Sequence, residues 1–84
     1  MKIWGKLIKS EKTVKSATVE VDEYESTFFQ MTKAVCESLK CGTPVIVTKH
    51  VLDFKKFNFC AFKKDDFVEN IDFDRFIMQN ITNK

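Results

Sequence analysis

In the run KIWGKLIK, residues 2–9, Ile3 and Leu7 fall on one side of an extended chain and Trp4, Lys6 and Ile8 on the other, which is the two-residue period of a strand. After a polar Ser10–Glu11–Lys12 turn, TVKSATVEV sets Ala17, Val19 and Val21 against Ser16, Thr18 and Glu20. This predicts a half-buried second strand, placed to pair with the first as a hairpin. At Asp22 the period lengthens. Tyr24, Phe28, Met31, Val35 and Leu39 recur at steps of four, three, four and four, predicting one helix of roughly sixteen to eighteen residues. Asp22 with Glu25 supplies a capping box at its start, and Gly42 and Pro44 supply its stop. PVIVT, residues 44–48, then predicts a short third strand covered on both faces, because its three apolar residues are mostly β-branched.

From His50 two periods overlap. Val51, Phe54 and Asn58 lie at helical spacing, whereas Phe57, Phe59 and Ala61 alternate as in a strand, and the reading taken is a short helix from Val51 to Phe57 followed by an irregular segment. FDRFIMQNI carries apolar residues on both faces, at Phe73, Phe76, Ile77, Met78 and Ile81, as an inner strand of a mixed sheet would. The expected class is α+β: a β-grasp-like mixed four-stranded sheet packed on one long helix, in the order ββαβ(α)β. The order resembles the ubiquitin-like β-grasp, which implies parallel first and last strands and a helix stripe buried on Ile3, Leu7, Val19 and Val21. Leu7 and Ile77 are then expected side by side, facing the helix. An antiparallel four-stranded sheet under the same helix is the alternative.

Composition narrows the function. Eighty-four residues suit one domain, 1–84, and a 44% hydrophobic content with nine phenylalanines can build a core. Fourteen basic and twelve acidic side chains leave +2, too weak a bias to imply a polyanionic partner by itself. The lysine-punctuated start never reaches a continuous apolar run, so a cytoplasmic chain without a membrane span is expected. Three cysteines, an odd number, fit reduced thiols. The segments KIWGKLIK, Pro44 ahead of the third predicted strand, and DDFVENIDFD ahead of the last resemble a family of short uncharacterised proteins of firmicute bacteria. That resemblance implies a bacterial source and carries no activity, ligand or catalytic residue.

Cofactor chemistry finds little support. Cys36-x4-Cys41 has the opening spacing of a plant-type ferredoxin cluster, but Pro44 stands where the third cysteine belongs. Cys36, Cys41, His50 and Cys60 are four potential zinc ligands, yet no two form the close pair usual in structural sites. Without a C-terminal diglycine, neither a sulfur carrier nor a conjugated modifier is expected. Asp65, Asp66, Glu69, Asp72 and Asp74 lack the central glycine of a calcium loop. His50 would have to meet Cys41 or Cys60 across an unknown distance to serve nucleophilic catalysis. The expectation is no enzyme, no metal and no cofactor.

The stretch from Lys49 to Phe67 remains, with five lysines and five phenylalanines in nineteen residues. Its rings at Phe54, Phe57, Phe59 and Phe62 are expected in the core, with the lysines as a solvated edge. Lys55, Lys56, Lys63, Lys64 and Trp4 form the candidate binding surface. The expected function is a non-catalytic module that binds another protein; the alternative is single-stranded nucleic acid on a Lys/Phe surface. Asp53, Asp65 and Asp66 offset the lysine charge and favour the protein partner.

Overall fold

A computed structural model describes residues 1–82. Strands β1 (Lys2–Lys9) and β2 (Lys12–Glu20) form the N-terminal hairpin, followed by helices α1 (Phe28–Leu39) and α2 (Thr48–Phe57), strand β3 (Phe59–Lys63), a 3-10 turn (Lys64–Asp66) and strand β4 (Arg75–Asn80). Ser10 and Glu11 both hold positive φ, 51° and 64°, as a tight two-residue hairpin loop requires. The four strands lie in the order β2-β1-β4-β3, with every pair antiparallel. The fold is α+β and β-grasp-like in outline, with a four-stranded sheet against two helices.

One face of the sheet carries the core. Ile3, Gly5 and Leu7 of β1, Phe76 and Met78 of β4, and Cys60 and Phe62 of β3 meet Met31, Val35 and Leu39 of α1 and Phe54 of α2. Phe62 and Phe76 stack with centroids 5.4 Å apart, and Phe28 meets Phe54 edge-on at 5.4 Å, joining the helices. Gly5 sets how close α1 comes: a Cβ there would collide with Cγ1 of Val35, so the helix lies this near the sheet only over a residue without a side chain. No helix among the described residues is long and apolar enough to cross a membrane.

Several expectations need correction. β4 runs antiparallel to β1, so the sheet is not mixed and the antiparallel alternative is the one observed. An inner strand reads as apolar on both faces whichever way it runs, so the pattern could not fix its direction. Ile77 pairs with Lys6 and Ala61 on the far face, while Phe76 and Met78 face the helices. α1 starts later than Asp22. Thr27 Oγ1 accepts from Gln30 N–H at 3.1 Å and Gln30 Oε1 accepts from Thr27 N–H at 2.9 Å, forming the true capping box. Asp22 instead closes a separate turn, its carboxylate accepting from the Tyr24 and Glu25 amides, and Tyr24 is 92% exposed.

PVIVT is a connector, not a strand: Ile46 packs on the core, Val45 and Val47 face solvent, and Val45 N–H donates to the Asp66 carbonyl at 2.7 Å. The third strand is Phe59–Lys63, where an irregular segment was expected. Asn58, with left-handed φ of 64°, ends α2 and turns the chain directly into that strand.

Candidate functional site

The rings of the Lys49–Phe67 stretch divide. Phe54, Phe62 and Phe67 are buried, whereas Phe57 and Phe59 remain 54% and 49% exposed with centroids 6.4 Å apart, contrary to their expected core placement. Strand alternation explains Phe59, because Cys60 and Phe62 take the inner face. Phe57 is the last residue of α2 and projects past the packed surface. These rings and Val47 border a groove of about 400 Å³ between α2 and β3, which His50, Asp53 and Ala61 also line.

The groove runs along a free strand edge. Asn80 N–H donates to the Asn58 carbonyl at 2.7 Å, which fixes the phase of the β3–β4 ladder: Cys60 faces Met78 and Phe62 faces Phe76 as hydrogen-bonded pairs. The N–H and C=O groups of Phe59 and Ala61 therefore point away from β4, and among the described residues no further strand covers them. At the far end, Lys63 N–H donates to Asp66 Oδ2 at 2.8 Å, so the open stretch of edge is short.

His50 forms part of the wall and is fully engaged. Its Nδ1 accepts from Val47 N–H at 3.1 Å, which assigns the ring proton to Nε2, 3.4 Å from Asp66 Oδ2. The ring also lies 4.1 Å from that of Phe62. With both nitrogens occupied, it staples α2 to the 3-10 turn and leaves no lone pair for a substrate proton. Cys60 is 1% exposed, and burial, assisted by the nearby Asp53 carboxylate, pushes its thiol up to about 12. A thiol so held is a poor nucleophile at neutral pH. Among the described residues, no group of three or more His, Cys, Asp or Glu side chains is gathered to hold a metal ion.

The five candidate surface residues do not converge. Lys55 lines a separate cleft with Met1 and Glu23, Lys56 places Nζ 5.4 Å from the Phe57 ring centre, and Lys64 lies exposed in the 3-10 turn. Lys63 lines the groove. Trp4 stands on the far face of the sheet, its ring under Lys6 Nζ at 4.5 Å. On that face Trp4, Gln79 and Phe59 form one cross-strand row, and Lys63 lies directly opposite Arg75. Sequence reasoning missed Val47, Arg75 and the Phe59 and Ala61 backbone. The Phe57, Phe59, Ala61 alternation was the available signal for that edge. No family model, curated protein or solved structure matches the chain.

Proposed function

We propose that the protein is a non-catalytic binding module that receives an extended segment of another protein along β3, as a fifth strand. The observation that carries this reading is the pair of outward-facing backbone amides, Phe59 and Ala61, beside the exposed apolar side chains of Val47, Phe57 and Phe59. Added strands gain affinity from main-chain hydrogen bonds and specificity from pockets for alternate side chains, and this edge offers both. Lys49 and Lys63 are matched by Asp53 and Asp66 around the groove, so its charge favours neither sign of partner. The test uses a displayed library of random extended peptides. Ala61→Pro removes a donor that the β3–β4 ladder does not use, so the fold should persist. Alternating apolar peptides should be enriched on the wild type and lost on this variant. Enriched peptides that bind Ala61→Pro equally well would overturn the reading.

A second reading, single-stranded nucleic acid on the far sheet face, is favoured by one observation. Lys6, Lys63 and Arg75 share that face without an ion pair among the described residues, and Glu20, its one carboxylate, already sits opposite Lys2. Trp4 and Phe59 supply rings on which bases could stack. Oligonucleotide binding that quenches Trp4 fluorescence, and weakens by roughly 0.7 log unit per log unit of salt for each phosphate contacted, would favour it over strand addition.

A further inference from the structure

Cys36 and Cys41 occupy two defined positions at the end of α1. Lys40 adopts left-handed backbone, φ 58° and ψ 42°, and its N–H donates to the Glu37 carbonyl at 3.1 Å, while Cys41 N–H reaches back to the Cys36 carbonyl at 3.0 Å. These are the two bonds of a Schellman motif, in which the residue after the left-handed position packs on the residue five before it. Here both packing residues are cysteines. Cys36 is wholly buried in the core, and Cys41 is half-buried against the same cluster. Cys41 also lines two adjoining clefts of about 430 and 410 Å³, the second walled by Lys9 and Lys15. It is thus a thiol that small molecules can reach, backed by a second thiol that they cannot.

We propose that Cys36 and Cys41 are a redox-active dithiol that closes to an intramolecular disulfide at the expense of a small-molecule disulfide. In the first step the Cys41 thiolate attacks one sulfur of that molecule, forming a mixed disulfide and releasing one thiolate. In the second, Cys36 attacks the Cys41 sulfur and expels the remaining thiolate, which takes up the Cys36 proton. Two protein thiols lose two electrons and two protons, and one disulfide becomes two thiols. The roles follow from the surroundings. The neighbouring Cys36 thiol, with help from Lys15 and against the effect of burial, holds the Cys41 thiol below its ordinary range, while the Cys41 thiol and burial raise that of Cys36. The backbone bond between the same two residues keeps their chains adjacent, as disulfide geometry requires.

The experiment exposes the reduced 84-residue chain to oxidised glutathione at neutral pH and maps its cysteines by mass spectrometry. The wild type should lose two hydrogens, with Cys36 linked to Cys41 and Cys60 still free. Cys36→Ala should stop as the glutathione adduct on Cys41, and Cys41→Ser should stay unmodified. Native labelling of Cys41 should outpace that of Cys60 by about tenfold or more. A wild type that keeps three free thiols, accumulates the glutathione adduct without closing, or links through Cys60 would overturn the proposal, whether or not the variants fold.

Discussion

β2 and β3 are both edge strands, and the chain finishes them in opposite ways. β2 runs for nine residues, with Lys12, Lys15, Ser16, Thr18 and Glu20 exposed, and the β1–β2 register shifts between Leu7 and Ile8. Charge and a register break are the usual protections against a stray strand. β3 has only five residues, is anchored inward by Cys60 and Phe62, and presents exposed rings beside its free amides. An edge can therefore be kept safe by polarity or by brevity. Exposed apolar surface survives on both, a single Val14 among the charges of β2 and the neighbouring Phe57 and Phe59 rings at β3.

The largest effect should come from the anchoring of β3. Phe62→Ala should cost about 3 to 5 kcal/mol in urea unfolding, while Val14→Ala on β2 should cost less than about 0.5 kcal/mol. Equal losses would break the contrast between the edges. Alkaline pH should sharpen it next. Cys60 keeps its proton in the native state up to about 12, while in the unfolded chain it ionises near 9.0. The native state then binds more protons, so this contribution is complete below pH 9.0 and disappears as pH rises towards about 12. The wild type should lose a few kcal/mol relative to Cys60→Ala across that window, and parallel stability curves would refute the assignment.

A smaller loss should arise at the contact that supports both edges from the centre. Gly5→Ala should destabilise by about 1 to 3 kcal/mol through its collision with Val35, and Val35→Ala in the same chain should recover part of the loss by making room. Additive losses in that double variant would show that the helix had moved instead. The smallest effect should be at the stop of the β3 edge: Asp66→Ala should cost about 1 to 2 kcal/mol by freeing both the Lys63 amide and the His50 ring N–H. It should also let the amide proton of Lys63 exchange faster, which NMR can follow.

The sequence was most legible where one face alone is buried. The β1–β2 hairpin and the Met31, Val35, Leu39 stripe could be read because their periods are clean. It was least legible where two periods overlap: Phe57 and Phe59 suggested a strand face that is in fact turned outward, one residue out of phase with Cys60 and Phe62. PVIVT misled because β-branching favours extended backbone whether or not a neighbouring strand accepts its hydrogen bonds. Of the candidate site, Lys63 is the predicted residue that the groove retains. The free Phe59 and Ala61 amides were not readable, since they follow from ladder phase and not from side-chain chemistry.

Asp66 receives Lys63 N–H and faces the His50 ring with its carboxylate, and accepts Val45 N–H with its carbonyl. One residue thereby links the connector, α2 and β3. Its consequence concerns cooperativity. Opening that node would loosen all three segments together, as one unit of local opening. A partner strand laid on β3 would close the same unit from outside. Slowed hydrogen exchange on binding would then reach Val45, which lies outside the groove that the partner fills.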